Sequence, residues 1–246
     1  MKLVDKTVLI TGGGSGFGAG MAMRFSQEGA KVFVADVDIN KAEEIANKIH
    51  GIPIQVDVSK KNSVGIMVTK ILKETKKVDI LVNNAGITHL PGPMESISEE
   101  EFDRILAVNA KSVFLTSSLL VPHFKNNKSG TILNIASTAG VSPRANLTWY
   151  NASKGWMITA TKSMAIELAP LGIRVNAINP VAGETPLLRS FMGEDTPEVR
   201  KKFLDTIPMG RFSTPTDIGN TATFLCSDDA SMITGVALEV DGGRCI

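Results

Sequence analysis

Tyr150 and Lys154 are the residues of this chain whose types and spacing point most directly to proton transfer. They are four positions apart, so on a helix they project from one face, one turn apart. A tyrosine hydroxyl has an ordinary pKa of about 10, and a neighbouring ammonium favours the phenolate and lowers that pKa. The pair therefore predicts a general acid or base for neutral pH. Because surface helices show the same spacing by chance, the interpretation depends on the residues upstream.

The glycine-rich segment 11–18 is predicted to bind a phosphate. It follows a short β-branched run, Thr7 to Ile10, and precedes apolar residues at helical spacing. Glycines permit positive φ, and the helix that comes next presents free N–H groups and a positive dipole to an anion. The spacing differs from the commoner Gly-x-Gly-x-x-Gly fingerprint, and a purely structural turn is the alternative. The candidate cofactor residues here are Gly12, Ser15, Gly16, Phe17 and Gly18.

Asp36 closes the next predicted strand, Lys31 to Ala35. A carboxylate at this point is suited to accept hydrogen bonds from the adenosine ribose hydroxyls, and it would repel a 2′-phosphate. Ser15 stands where an arginine would meet such a phosphate. The two residues predict NAD rather than NADP as the cofactor, with a strand-end cap as the alternative interpretation of Asp36.

Polar and small residues also follow the next two predicted strands. The strand 54–58 carries Asp57 and Val58 at its end, and Asp57 either faces the adenine amino group or caps the following helix. The strand 78–82 is followed by Asn84, Ala85 and Gly86. Ligands bind at the carboxyl ends of strands in open α/β sheets, so all five residues are candidate cofactor contacts.

Asn109 and Ser137 complete the candidate site. Asn109 lies inside a helix predicted from Ser98 toward Phe124, where an asparagine is a satisfied core amide, a kink, or a polar group beneath an active site. Ser137 follows the fifth predicted strand, 130–136, and precedes the helix of Tyr150. This order brings the serine and tyrosine hydroxyls to the same edge of the sheet.

The chain as a whole is predicted to form one α/β domain, residues 1–246. Two further strands, 173–178 and 236–240, bring the total to seven strands alternating with helices, which indicates a Rossmann-type doubly wound parallel sheet. Residues 181–211 intersperse prolines and glycines with apolar side chains. A stretch of that length is typical of a mobile lid over a substrate.

Composition excludes several function classes. The net charge of +1 argues against a nucleic-acid partner, and three scattered histidines argue against a metal site. The two cysteines suit a reduced, cytoplasmic protein rather than a disulfide framework. The first residues carry charges where a signal peptide has its apolar region, and no apolar run approaches bilayer length, so no membrane association is expected.

With these residues in this order and spacing, the chain resembles the short-chain dehydrogenase/reductase (SDR) family over essentially its whole length. The resemblance implies a Rossmann fold, a nicotinamide cofactor, a catalytic tetrad, and a homotetramer built partly from the Asn109 and Tyr150 helices. The motifs that carry it are Thr11-Gly12-x-x-x-Gly16-x-Gly18, Asn83-Asn84-Ala85-Gly86, Asn109, Ser137, Tyr150-x-x-x-Lys154 and Asn179-Pro180.

The resemblance also implies a role for each member of the tetrad. Ser137 would position the substrate oxygen, and Tyr150 would exchange its proton. Lys154 would lower the tyrosine pKa and bind the nicotinamide ribose, while Asn109 would hold a proton-relaying water. One departure is Val181, where the family often has glycine. The remaining candidates are Pro180, Gly183 and Thr185 for the cofactor, and Ala139 and Leu147, with Ser137 and Tyr150, for the substrate.

The predicted function is an NAD-dependent oxidoreductase that interconverts a secondary alcohol and a ketone. One alternative is a 3-oxoacyl-thioester (acyl-carrier-protein) reductase, which usually runs on NADPH. Another is a catalytically silent dinucleotide-binding protein. The substrate is left open, because apolar Leu147, Leu187 and Phe191 suit a hydrophobic body while Arg144 and Arg189 are either solvated surface residues or contacts for an anion.

Overall fold

A seven-stranded sheet forms the centre of the computed structural model, which describes all 246 residues. The strand order is β3-β2-β1-β4-β5-β6-β7, and all neighbouring strands are parallel. The order reverses between β1 and β4, which opens a crevice at their carboxyl ends. The predicted doubly wound fold is confirmed. The strands are β1 Thr7–Thr11, β2 Lys31–Asp36, β3 Ile52–Gln55, β4 Ile80–Asn83, β5 Gly130–Ile135, β6 Ile173–Pro180 and β7 Ala237–Val240.

Helices cover both faces of this sheet and bury it in two apolar layers. One layer contains Met21 and Phe25 from the first helix, and the other contains Met67 and Phe124 from helices on the opposite face. A parallel sheet requires this double cover because both of its faces are apolar. The helices are α1 Gly16–Gln27, α2 Ile39–Ile49, α3 Lys61–Thr75, α4 Glu99–Leu106, α5 Ser112–Asn127, α6 Thr148–Leu168, α7 Leu188–Met192, α8 Pro197–Leu204 and α9 Pro215–Cys226.

Two elements differ from the sequence-based expectation. Strand β3 ends at Gln55 rather than continuing to Val58, because the Asp57 carboxylate accepts hydrogen bonds from the Ser59 amide at 2.9 Å and from its hydroxyl at 2.6 Å, which turns the chain. Helix α9, Pro215–Cys226, is present in the structure but is not among the elements predicted from the sequence. Its start carries a recognisable signal, a capping box between Thr214 and Asp217 with Pro215 in the first turn.

The predicted single helix from Ser98 toward Phe124 is two helices joined by a π-helical turn, Ala107–Lys111. The stretch Glu99–Asn127 is long and apolar enough to cross a membrane by length and composition, so the expectation that no stretch reaches bilayer length is wrong by that measure. Half of its most apolar window is buried inside the protein. Leu120 and Phe124 of α5 belong to the layer against the sheet, which accounts for the hydrophobicity.

The segment 181–211 contains α7 and α8 and has a small apolar core of its own. Val181 is buried in it, together with Leu188, Met192, Ile207 and Phe212. The residue that departs from the family pattern therefore anchors this segment by packing. A parallel bridge between Gly183 and Ser213 fixes its base.

Candidate active site

One cavity of about 600 Å³ opens at the carboxyl ends of the strands, and the segment 181–211 forms part of its wall. Its volume falls in the range of small-molecule and cofactor sites. The predicted site residues converge on it, with Asn109 and Gly18 as the exceptions. Those lining it are Gly12, Ser15, Gly16, Phe17, Asp36, Asp57, Val58, Asn84, Ala85, Gly86, Ser137, Ala139, Leu147, Tyr150, Lys154, Pro180, Gly183 and Thr185.

The glycine-rich turn has the shape of a phosphate cradle. Gly12 and Gly16 have φ of +62° and +52°, a region that non-glycine residues rarely adopt. Helix α1 begins at Gly16 with no acidic residue in its first turn, so its positive end faces the cavity uncompensated. Gly18 lies behind this wall, where a Cβ would overlap the Gly12 carbonyl oxygen. Gly18 therefore serves close packing of the turn rather than the cavity surface.

Asp36 reaches the cavity from the end of β2, and backbone hydrogen bonds fix its orientation. Its carboxylate accepts from the amide of Gly14 at 3.0 Å and from the amide of Asp38 at 3.1 Å. A carboxylate has about four acceptor positions, so acceptor capacity is left for a ligand hydroxyl. The negative charge stands beside the glycine-rich turn, as an adenosine ribose site requires.

Asn84 holds two strand ends together beneath the cavity. Its side-chain amide donates to the carbonyl oxygens of Thr11 at 2.9 Å and Gly12 at 2.8 Å. The Thr11 hydroxyl in turn accepts from the amides of Asn84 and Ala85. The residues following β4 are thereby fixed to the glycine-rich turn, and both can meet one ligand.

Tyr150 and Lys154 are buried side by side on α6. The Lys154 ammonium donates to the Ile135 carbonyl oxygen at 2.8 Å, and its Nζ lies 5.9 Å from the centre of the Tyr150 ring. Burial lowers the pKa of Lys154 to about 8. Burial also raises the pKa of Tyr150 to about 12, against a smaller lowering by a hydrogen bond with Ser137. The Tyr150 pKa therefore shifts upward through desolvation, opposite to the lowering predicted from the neighbouring lysine alone.

Ser137 follows β5 and presents its hydroxyl to the same cavity. Its Oγ accepts from the Ala139 amide at 3.0 Å, which starts a short 3₁₀ turn, Thr138–Gly140. The accepted amide leaves the Ser137 O–H group for the Tyr150 oxygen, whose pKa it lowers, and a substrate oxygen between the two hydroxyls would take over that hydrogen bond. Ser137 and Tyr150 therefore present two hydroxyls to one position.

Asn109 lies outside the cavity wall, inside the π-helical turn. Its side chain accepts from the Ile87 amide at 2.9 Å, and donates to the Ile87 carbonyl at 2.9 Å and to the Ser153 hydroxyl at 3.0 Å. Both amide hydrogens are therefore used by protein groups. The side chain joins the loop after β4 to α6 and so positions the helix that carries Tyr150. The proton-relaying water expected at Asn109 stays a prediction, and the side-chain amide has no hydrogen left to donate to it.

Sequence reasoning missed the residues that support this site. Asn83 donates to the side chain of Asn134 at 2.9 Å and accepts from Thr116 at 2.7 Å, while Asn134 donates to Thr161 at 2.8 Å. These buried bonds cross the sheet and tie α5 to α6. Asparagines within two apolar strands, 80–83 and 130–135, were the available signal, because a buried amide needs partners.

The far side of the cavity is lined by aromatic rings of the segment 181–211. The Phe191 ring meets the Tyr150 ring edge-on, with centroids 5.0 Å apart. Phe203, which was not predicted as a site residue, lies over the Arg144 guanidinium. Arg144 lines the cavity, whereas Arg189 is exposed outside it. No grouping of histidine, cysteine, aspartate or glutamate fit to hold a metal ion is present.

Comparison with known proteins identifies the family. Residues 12–244 match the family model described as Enoyl-(Acyl carrier protein) reductase. The chain is also 45% identical to 4-formylbenzenesulfonate dehydrogenase of Comamonas testosteroni, over 100% of both chains. The protein belongs to the short-chain dehydrogenase/reductase family. The resemblance in its motifs is thereby confirmed, and the chain is an oxidoreductase with a nicotinamide dinucleotide cofactor.

Two other SDR proteins show how far the likeness extends. One is a 3-ketoacyl-(acyl-carrier-protein) reductase from Brucella melitensis, whose crystal structure was solved in complex with NADH. Its sequence is 53% identical to this chain, and the two structures superpose with a TM-score of 0.95 over 99% of this chain and 100% of the reductase. A cyclopentanol dehydrogenase from a Comamonas strain is 35% identical over 98% of both chains. These two relatives are thus named for different substrates, a cyclic secondary alcohol and a 3-ketoacyl thioester.

Proposed function

We propose that this SDR protein is an NAD(H)-dependent dehydrogenase that interconverts a secondary alcohol and a ketone. The observation that carries the proposal is that one cavity joins Ser137, Tyr150 and Lys154 to the glycine-rich turn and Asp36. A dinucleotide bound at the turn would reach the proton-transfer residues within this one cavity. The cyclopentanol dehydrogenase relative, named for a secondary alcohol, supports this substrate class.

The cofactor is assigned to the side of the cavity nearest β1 and β2. The helix N-terminus at Gly16 would hold the pyrophosphate, and Asp36 would accept hydrogen bonds from the adenosine ribose. One carboxylate oxygen of Asp57 accepts both hydrogen bonds from Ser59, and the other would contact the adenine. The nicotinamide, when bound, supplies or accepts the hydride.

The protein's own groups supply positioning and the proton. Ser137 donates a hydrogen bond to the substrate oxygen and holds it near Tyr150. In the reductive direction the Tyr150 hydroxyl gives its proton to that oxygen; in the oxidative direction the phenolate takes the alcohol proton. Lys154, fixed by the Ile135 carbonyl, stabilises the phenolate when it carries its charge.

NAD is proposed over NADP because Asp36 places a negative charge where a 2′-phosphate would lie, and Ser15 offers no positive charge to offset it. The Brucella melitensis relative, solved with NADH, supports this choice. Initial rates with NADH and NADPH at equal concentrations test it. A clear preference for NADPH would overturn the assignment.

A 3-oxoacyl-thioester reductase is a second candidate, favoured by the name of that 53% identical relative. Reduction of an acetoacetyl thioester compared with a panel of simple ketones, followed by NADH absorbance, separates the two. Faster turnover of the thioester would favour the second candidate. A catalytically silent protein would bind NADH and turn over none of these compounds.

A homotetramer is proposed from the family and from exposed apolar residues on two helices. Phe114 on α5 is 61% exposed, while Trp156 and Ile166 on α6 are 44% and 80% exposed. Exposed large apolar side chains on the surface of helices are typical of subunit interfaces. Light scattering gives the mass in solution, and a monomer mass of 26.2 kDa would overturn this proposal.

A further inference from the structure

Arg144 is a cavity-lining arginine with no protein group that neutralises it. It lies between β5 and α6, is partly buried, and is close in sequence to Leu147 and Tyr150, which line the same cavity. No carboxylate lies within 4.0 Å of its guanidinium, and its side chain donates no hydrogen bond to the protein. By contrast, the part-buried Arg174 donates to three backbone carbonyls. Charges that are partly removed from water are normally paired with an opposite charge. The protein offers Arg144 no such partner, and a negatively charged ligand can supply one.

The surroundings of Arg144 add positive charge rather than relieve it. Burial, and to a smaller extent the charge of nearby Arg244, lowers the pKa of Arg144 to about 10. Arg144 is still charged at neutral pH. The Arg244 guanidinium donates to the hydroxyl and the carbonyl of Ser142, its Nε is buried without a partner, and it has no carboxylate within 4.0 Å. Two guanidinium groups without an acid favour an anion between or beside them.

The aromatic contact of Arg144 leaves its hydrogen-bonding edge available. The guanidinium carbon lies 4.1 Å from the centre of the Phe203 ring of α8. A guanidinium in contact with a ring face is stabilised by a cation–π interaction, while its N–H groups lie at its rim and can bind a carboxylate or sulfonate in bidentate fashion. The segment 181–211 therefore holds Arg144 in place without consuming its donors.

The lining of the cavity thus contains three chemically different groups of side chains. Ser137 and Tyr150 supply hydroxyls for the reacting oxygen, Leu147 and Phe191 supply an apolar middle, and Arg144 supplies a positive charge. We propose that Arg144 binds the carboxylate or sulfonate of a substrate whose body is flat and apolar and whose reacting oxygen lies at Ser137 and Tyr150. This inference rests on the proposed function, because it takes the substrate to be a ketone or secondary alcohol.

A matched pair of aryl ketones tests the charge requirement. 4-Acetylbenzenesulfonate and its neutral sulfonamide differ chiefly in charge, and both are offered with NADH. We expect the native protein to prefer the sulfonate by at least about tenfold in kcat/KM, through KM, since charge-assisted hydrogen bonds contribute that much. In Arg144→Gln the preference should fall toward one, and Arg144→Lys should restore part of it.

Arg189→Gln is the matched control, because that arginine is exposed outside the cavity. It should keep the preference of the native protein. Equal preference in the native protein and in Arg144→Gln would overturn the inference, as would an equal loss in Arg189→Gln. Thermal unfolding and NADH titration of each variant verify that it folds and binds the cofactor.

A binding experiment separates this inference from the proposed function. Calorimetric titration of benzenesulfonate into the protein with NAD should show binding that weakens with salt and is lost in Arg144→Gln. If no ketone or alcohol is turned over but this binding depends on Arg144, the proposed function fails and the anion site stands. If neutral ketones are reduced and neither assay depends on Arg144, the anion site fails and the proposed function stands.

Discussion

The ring of Phe191 meets the ring of Tyr150 edge-on at 5.0 Å, so the segment 181–211 touches the proton-transfer residue directly. Burial is the main reason that the Tyr150 pKa rises to about 12, and Phe191 is one of the side chains packed against the Tyr150 ring. The segment therefore shapes the substrate site, and we expect changes in it to affect the ionisation of Tyr150 as well. A loop that covers a site in this way controls water access as well as substrate access.

Phe191→Ala should weaken substrate binding and lower the Tyr150 pKa toward its ordinary value. Phe191 lines the cavity, and losing about 40 Å² of apolar contact with a substrate removes about 1 kcal/mol, so we expect KM to rise roughly fivefold. The removed ring also admits water, so the pH at which alcohol oxidation accelerates should fall. Steady-state rates over a pH series measure both effects. Phe191→Leu keeps an apolar side chain over the site, so its KM and pH profile should lie between those of the native protein and those of Phe191→Ala. An unchanged pH profile in Phe191→Ala would show that Phe191 does not raise the Tyr150 pKa.

Tyr150→Phe should abolish turnover and leave cofactor binding intact. The substitution removes one hydroxyl from a buried ring and keeps its packing against Phe191. Loss of a general acid reduces kcat by about 10²- to 10⁴-fold. NADH titration by fluorescence should give the same affinity as the native protein. Turnover within a few-fold of the native rate would show that another group transfers the proton.

Asp36→Asn should shift the cofactor preference toward NADPH. The amide keeps an acceptor for the Gly14 N–H at 3.0 Å but removes the negative charge that opposes a 2′-phosphate. We expect the ratio of kcat/KM for NADPH to that for NADH to rise at least about tenfold, which corresponds to about 1.4 kcal/mol. Asp57→Asn, a second cavity acid, is the control and should change the ratio far less. An equal change in both variants would assign the effect to net charge rather than to Asp36.

The two directions of the reaction should respond differently to pH. A Tyr150 pKa raised to about 12 keeps the hydroxyl protonated at neutral pH, ready to donate to a ketone. The phenolate fraction grows about tenfold per pH unit below that pKa, so kcat/KM for alcohol oxidation should rise with pH up to about 8, near which Lys154 begins to lose the charge that stabilises the phenolate, while ketone reduction changes little. Initial rates in both directions from about pH 6 to about pH 9 test this. A fall in reduction rate near neutral pH would instead support the lysine-lowered pKa predicted from sequence.

How much of this site was predictable from sequence depends on how local its signals are. Asp36 and the glycine-rich turn were placed correctly because strand, turn and helix are adjacent in the chain, and the first residues after each parallel strand gather at the carboxyl edge of the sheet. The pKa of Tyr150 was not predictable, because it depends on how deeply the folded chain buries the residue, and side chains packed on its ring, such as Phe191, lie far along the chain. The tie between Asn109 and Ile87 likewise requires knowing that a π turn interrupts the helix.

Val181→Gly should loosen the segment 181–211 more than it destabilises the whole protein. Val181 is 3% exposed in a small cluster that belongs to this segment, separate from the two large layers beside the sheet. Loss of its buried methyl groups and the added backbone freedom of glycine cost about 2–4 kcal/mol. Because the cluster is local, we expect faster trypsin cleavage at Arg189, Arg200, Lys201 or Lys202 and a higher KM, with a smaller change in the global unfolding midpoint. Val181→Ala separates the two causes, since it removes side-chain packing and keeps a Cβ. If cleavage were as slow in Val181→Gly as in the native protein, the valine would not be what holds the segment over the cavity.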